Sequence, residues 1–212
     1  MKVKQIFLAA IILMVFAVTG VMTVAYVYNN THEQILENER LALLSSINEL
    51  IPSDQYDNDI FHDIITVEGH DLLGSDNPIP VYRARKNGWP LAVVIPVIAP
   101  DGYNGRIKLL VAIKLDGSLA GVRVVSHRET PGLGDGIETS RSDWILNFAN
   151  KSLLNPDEKR WKVKRDNGDF DQFSGATVTP RAIVKSVFNA LLYFRINDQK
   201  LFATTAEAEQ IP

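Results

Sequence analysis

Residues 81–127 read VYRARKNGWPLAVVIPVIAPDGYNGRIKLLVAIKLDGSLAGVRVVSH, and this stretch decides the fold class. Four apolar runs in it are separated by the turn dipeptides Asn87-Gly88, Asp101-Gly102 and Asp116-Gly117. Such dipeptides favour positive φ and short hairpins, so successive runs are expected to pair as an antiparallel meander. The predicted strands are residues 81–85, 89–99, 105–115 and 119–127.

On the N-terminal side, residues 6–28 (IFLAAIILMVFAVTGVMTVAYVY) contain no charge. A membrane-spanning helix needs about 20 apolar residues, whereas the apolar part of a signal peptide has about 7–15. The length favours a retained transmembrane helix, with a cleaved signal peptide as the alternative. Lys2 and Lys4 precede the span, and the positive-inside rule then places residues 1–5 in the cytoplasm.

Residues 29–80 connect the span to the predicted sheet. Asn29-Asn30-Thr31 resembles a helix start, and apolar residues at helical spacing in residues 33–50 predict a second, amphipathic helix close to the membrane. Pro52 is expected to end it. Residues 54–80 mix Asp, Asn, Gly and Pro, which predicts irregular structure with at most a short strand or helical turn in FHDIITV.

On the C-terminal side, Ser142 can cap a short helix carrying Trp144 and Phe148, and RWKVKR at residues 160–165 is interpreted as one more strand. An apolar stripe over residues 180–195 predicts a long helix with Pro180 in its first turn and Thr179 as its N-cap. The fold class is therefore α+β, and residues 201–212 are expected to be a frayed tail.

Residues 173–180, FSGATVTP, lead directly into that helix. A helix N-terminus presents unpaired N–H groups and the positive end of the macrodipole, so a phosphate would be stabilised here, beside hydroxyls that could be esterified. The alternative is purely structural: Thr179 caps the helix, Gly175 turns the chain, and Ser174 and Thr177 satisfy the loop backbone.

Composition excludes several function classes. The chain has 22 Lys and Arg against 25 Asp and Glu, a net charge of −3, which argues against nucleic acid as a partner. It has no cysteine, so disulfides, thiolate metal ligands and protein-held iron–sulfur clusters are excluded. Electron chemistry would need an organic cofactor, and neither a catalytic residue nor a metal site is predicted.

Two motifs carry a resemblance to a known family. Residues 171–177, DQFSGAT, resemble the Asp-x-x-Ser/Thr-Gly-Ala-Thr signature of proteins with covalently bound FMN, and residues 127–134, HRETPGLG, are similar to the H-x-E-T-P-G-L-G element of the same FMN-binding domain. Two elements in the expected order are more specific than either alone. With its N-terminal span, the chain resembles the G subunits of Rnf (Rsx) electron-transport complexes and, more distantly, the C subunit of the sodium-translocating NADH:quinone reductase.

The resemblance implies that a separate flavin transferase joins FMN, through its phosphate, to Thr177. Arg181 could pair with that phosphate or be an exposed helix arginine. Cofactor contacts are implied for a larger set: Asp171, Ser174, Gly175, Ala176, Thr177 and Thr179 in the first motif, and Glu129, Thr130, Gly132 and Leu133 in the second.

At the level of the molecule, the resemblance implies an antiparallel-sheet FMN-binding domain at residues 81–200, flanked by helices and exported to the periplasm. A single span would hold it in the inner membrane. The chain would relay electrons among the other subunits of an ion-translocating ferredoxin:NAD oxidoreductase complex, with no substrate site of its own. The alternatives are a periplasmic FMN-dependent reductase and a flavin-free anchored assembly or interaction domain.

Overall fold

The chain divides into two compact units, Met1–Leu44 and Ser45–Pro212. The computed structural model describes residues 2–203. The tail expected to fray, residues 201–212, therefore lies largely outside the described residues, since only residues 201–203 of it are described.

The first helix, α1, spans Lys2–Leu50 without a break. It is long and apolar enough to cross a membrane, and its apolar side chains over residues 6–28 are exposed. The expected new helix start at Asn29-Asn30-Thr31 is wrong. Asn30 Nδ2 donates to the carbonyl of Tyr26 at 2.7 Å and Thr31 Oγ1 to that of Val27 at 2.9 Å, so these polar side chains bond back to the preceding turn and the helix continues.

A five-stranded antiparallel sheet follows, in the spatial order β1-β2-β3-β4-β5. The strands are β1 (Ile64–Val67), β2 (Ile79–Lys86), β3 (Trp89–Gly102), β4 (Gly105–Lys114) and β5 (Leu119–Ser126). The predicted four-stranded meander is thus confirmed. The structure adds the edge strand β1 from the segment expected to be mostly irregular, and it places Asp101-Gly102 at the end of β3, so that Tyr103 and Asn104 form the turn to β4.

The second helix, α2 (Val178–Phe202), packs on one face of the sheet. Its buried residues Ile183, Val187 and Leu191 share a core with alternate residues of β3 and β4. The residues between them, such as Val94 and Leu110, are buried as well, so the sheet is covered on both faces.

The end of α1 contributes to this second covering. Leu50 packs against Gly121 of β5, where an added Cβ would lie 3.0 Å from Leu50 Cδ2. Beside it, Glu49 Oε2 accepts a hydrogen bond from Arg123 Nε at 2.8 Å. The helix ends at Leu50, two residues before Pro52, as expected from the sequence.

Along the chain, four short 3-10 helices lie between β5 and α2. Trp144–Phe148 is a short 3-10 helix whose N-cap is Asp143, so the expected cap at Ser142 is wrong by one residue, although Ser142 Oγ accepts from the Trp144 N–H at 3.2 Å. The strand expected at residues 160–165 is wrong. The chain there folds back on itself through Asn167, which has φ +62°, and forms 3-10 turns at Glu158–Arg160 and Lys164–Asp166.

Candidate functional site

The loops that carry the two sequence motifs meet at one cavity of about 310 Å³. It lies at the end of the sheet where β3 turns into β4 and where β5 ends. Its lining residues are Tyr103, Glu129, Thr130, Leu133, Gly134, Gly175, Ala176, Thr177, Val178 and Thr179.

The remaining predicted contact residues lie outside this cavity. Gly132 and Ser174 line a neighbouring cavity of about 610 Å³ that shares Leu133 with the first. Asp171 is exposed, pairs with Lys164 at 2.6 Å, and its carbonyl accepts the indole N–H of Trp144 at 2.7 Å. The structure thus brings the two motifs together but leaves the acidic residue of the first one on the surface.

A tight turn delivers the chain to α2. The Ala176 N–H donates to the carbonyl of Phe173 at 3.2 Å, and Gly175 between them has φ +81°. This is the positive φ that the third position of a type II turn requires, which explains a glycine there. The turn places Ala176 and Thr177 at the cavity wall.

The helix begins earlier than the sequence suggests. Its N-cap is Thr177 and its first residue is Val178, so the expectation that Thr179 would be the N-cap is wrong. Pro180 becomes the third helical residue, which costs nothing because the first turn of a helix has no intrahelical carbonyl to receive its N–H groups.

Because α2 begins at Val178, the three hydroxyl groups of the motif lie in different environments. Thr179 is fully buried and its Oγ1 donates to Glu129 Oε2. Ser174 is exposed on the turn. Thr177 is partly exposed at the cavity wall, and its hydroxyl makes no capping bond to the helix. Of the three residues, Thr177 is therefore the one that both lines the 310 Å³ cavity and is partly exposed.

Glu129 is the buried charged residue of the site, with 4% of its surface exposed. Its Oε1 accepts from the backbone N–H of Asn104 at 3.1 Å, while Oε2 accepts from Thr179. Its own N–H donates to His127 Nδ1 at 3.0 Å. Both carboxylate oxygens of Glu129, for which the family resemblance implies a cofactor contact, already have protein donors.

His127 continues this network away from the cavity. Because its Nδ1 accepts a hydrogen bond, the proton is assigned to Nε2, which donates to Glu138 Oε1 at 2.7 Å. The bond from His127, followed by one from Ser140, lowers the pKa of the Glu138 carboxyl below its ordinary value. The first residue of the second motif therefore anchors the loop.

Two residues of the site were missed by the sequence reasoning: Tyr103 and Asn104. Tyr103 lines the cavity with 68% of its surface exposed, and Asn104 Nδ2 donates to Thr130 Oγ1 at 3.0 Å. A signal was available, because in an antiparallel meander the β3–β4 turn and the end of β5 lie at the same end of the sheet.

Arg181 does not line the cavity. It forms a bidentate ion pair with Asp166, with Nε 2.5 Å from Oδ2 and Nη2 2.7 Å from Oδ1. This hydrogen bonding lowers the pKa of Asp166 and raises that of Arg181. The interpretation of Arg181 as an exposed helix arginine thus fits the structure better than a phosphate contact.

The cavity fits a flavin nucleotide. The first turn of α2 offers N–H groups and the positive end of the helix dipole to a phosphate at Thr177. Around it, Tyr103, Leu133 and Val178 expose between 41% and 68% of their surface, which suits a flat, largely apolar ring. Within residues 2–203, no group of three or more His, Asp or Glu side chains could hold a metal.

Comparison with known proteins agrees with this chemistry. The FMN-binding domain family matches residues 102–192, and the RnfG N-terminal region matches residues 1–50. The G subunit of the ion-translocating oxidoreductase complex of Vibrio atlanticus is 48% identical over 91% of this chain and 92% of its own length. The corresponding G subunit of Pseudomonas aeruginosa (strain UCBPP-PA14) is 47% identical over 92% and 91%. This chain belongs to that family of G subunits.

The FMN-binding match includes every residue that lines the 310 Å³ cavity. The G subunit of Shewanella loihica, 44% identical over 94% of both chains, extends the similarity through α1 and the sheet alike. The family resemblance stated from the two motifs is therefore confirmed.

Proposed function

We propose that this chain is a membrane-anchored electron-transfer subunit of an ion-translocating oxidoreductase complex, with FMN held in the cavity between the two motif loops. Family membership, the FMN-binding match and the apolar helix α1 support it. The observation that carries the proposal is that both motifs meet at one cavity. Thr177 lines this cavity, and its hydroxyl makes no capping bond to α2.

The cofactor is attached covalently in this proposal. Thr177 Oγ attacks the FMN phosphorus of FAD, the new P–O bond makes a phosphodiester, the pyrophosphate bond breaks with AMP as leaving group, and the hydroxyl proton is lost. A separate flavin transferase catalyses this exchange. The different environments of the three hydroxyl groups support Thr177 as the acceptor. Thr179 is buried and hydrogen-bonded to Glu129, whereas Ser174 lines the neighbouring cavity.

Bound FMN supplies one- and two-electron redox chemistry. The protein's own residues would hold it: the first-turn N–H groups of α2 would stabilise the remaining negative charge of the phosphodiester, and Tyr103, Leu133 and Val178 would offer apolar contact to the ring. In electron transfer the chain acts as a relay among the other subunits, within a complex that connects ferredoxin and NAD.

Covalent attachment is tested on protein purified from a host that contains the transferase. We expect a fluorescent band on a denaturing gel under ultraviolet light and an intact mass increased by one FMN less one water. Thr177→Ala should lose both signals. Ser174→Ala, which removes a neighbouring hydroxyl of the same turn, is the matched control and should keep both. Wild-type protein without the added mass, or a fluorescent Thr177→Ala band, would contradict the proposal.

A further inference from the structure

Three separate segments of the chain meet at the carboxylate of Glu129. The β3–β4 turn reaches it through the Asn104 N–H, and the first turn of α2 reaches it through the Thr179 hydroxyl. Glu129 itself belongs to the loop after β5. One buried side chain therefore joins all three parts of the cavity wall.

Two glycines leave the space that this carboxylate needs. At Gly134, an added Cβ would lie 2.9 Å from both Cβ and Oε2 of Glu129 and 3.1 Å from Thr179 Oγ1. At Gly102, an added Cβ would lie 3.0 Å from Glu129 Oε1. Close packing on both sides fixes the carboxylate in one orientation.

The carboxylate has no cationic partner in the part of the chain that the structure describes. Its charge is offset instead by directional donors and by the positive end of α2, whose second residue is Thr179. A buried charge is a poor way to add stability alone, since apolar residues of similar volume often serve as well. Here the carboxylate provides hydrogen bonds of fixed direction to Asn104 and Thr179.

We infer that Glu129 is the positioning residue for covalent flavin attachment: by holding the Thr179 hydroxyl, it fixes the first turn of α2 and keeps the Thr177 hydroxyl at the cavity wall. The same bond removes Thr179 as a competing acceptor. This inference rests on the proposed function. It assigns Glu129 an action through Thr179 and not through contact with the flavin ring.

The test compares Thr179→Val with Thr179→Ser in the full-length chain in detergent, given purified transferase and FAD. Valine keeps the shape and removes the hydroxyl, whereas serine keeps the hydroxyl. We expect the initial rate of flavin incorporation, followed by gel fluorescence and intact mass, to fall by about tenfold to a hundredfold in the valine variant. The serine variant should stay within about threefold of wild type, well short of that misplacement effect. Glu129→Gln, which loses one of two acceptor oxygens, should also slow incorporation.

A destabilised control separates positioning from general stability. Ile113 lies in β4 opposite Leu119, at the other end of the sheet from the cavity, and Ile113→Val should lower the melting temperature without slowing incorporation. Wild-type rates of incorporation in both Thr179→Val and Glu129→Gln would overturn the inference but not the proposed function. An equal loss of rate in Ile113→Val would also overturn it. A wild-type chain that takes up no flavin would instead overturn the proposed function on which the inference rests.

Discussion

Gly134 shows how a single position can require glycine for space alone. Its φ of −95° and ψ of −14° are available to any residue, yet an added Cβ would approach Glu129 to 2.9 Å. We predict that Gly134→Ala lowers the free energy of unfolding by about 1–3 kcal/mol, the range for overpacking a tight site. Urea denaturation of the wild type and the variant measures it.

The matched control is Gly132→Ala in the same loop. Gly132 has φ +77° but nothing within 4 Å of an added Cβ, so its cost comes from the backbone alone. That cost should be about 1 kcal/mol. A loss at Gly134 smaller than the loss at Gly132 would mean that the Glu129 side chain yields readily.

Glu138 should make stability depend on pH. Its folded-state pKa is lowered, chiefly by the hydrogen bond from His127, so its contribution is present above the unfolded pKa of about 4.3 and is lost as pH falls through the folded value. We predict that Glu138→Gln flattens the decline of the thermal midpoint in acid below that pH. Parallel curves for variant and wild type would rule out this contribution.

Among the secondary-structure elements, the C-terminal end of α2 depends on a charged cluster beside β1. Asp63 pairs with Arg83 at 2.5 Å and with Arg85 at 2.7 Å. Arg83 in turn donates to the carbonyl of Ala203, and Arg85 to that of Phe202 at 2.9 Å. The two arginines thus satisfy carbonyls at the helix end, while Asp63 neutralises part of their charge.

We predict that Asp63→Ala destabilises the chain by about 3–5 kcal/mol, because it leaves the Arg83 guanidinium, 3% exposed, without its counter-ion. Chemical denaturation measures the loss. Asp59→Ala is the control: Asp59 pairs with His62, both side chains are more than half exposed, and such an exposed pair contributes little to stability. Similar losses in both variants would show that burial does not govern the Asp63 cluster.

The elements differ in how far the sequence predicts them. The four long strands and α2 follow from alternation, turn dipeptides and an apolar stripe, because these patterns reflect burial over many residues. The predictions failed where few residues decide: at residues 29–31, where side chains bond back into the helix, and at residues 160–165, where Asn167 reverses the chain. Motifs located the two cavity loops, but Tyr103 and Asn104 join them only through sheet topology.

For the whole molecule, the proposed orientation places the N-terminus in the cytoplasm and the sheet domain in the periplasm. Lys2 and Lys4 before the apolar span support it. Because the chain has no cysteine, a single introduced thiol reports the side of the membrane. We predict that Lys159→Cys, at an exposed position of the sheet unit, reacts with a membrane-impermeant maleimide in intact spheroplasts.

Val3→Cys, on the other side of the span, is the matched control and should react only after the membrane is disrupted. The reverse pattern would mean the opposite orientation. Labelling of both positions in intact spheroplasts would mean that α1 does not cross the bilayer. The domain limits expected at residues 81 and 200 remain a prediction.

The position of Trp144 makes its fluorescence a possible reporter of cofactor attachment. It is one of three tryptophans in the chain, its ring centroid lies 5.3 Å from that of Phe173, and its indole N–H donates to the carbonyl of Asp171 in the loop before Thr177. Tryptophan emission overlaps flavin absorption, so a cofactor on Thr177 would quench this indole by energy transfer. Intrinsic fluorescence could then follow maturation in real time, with no added label.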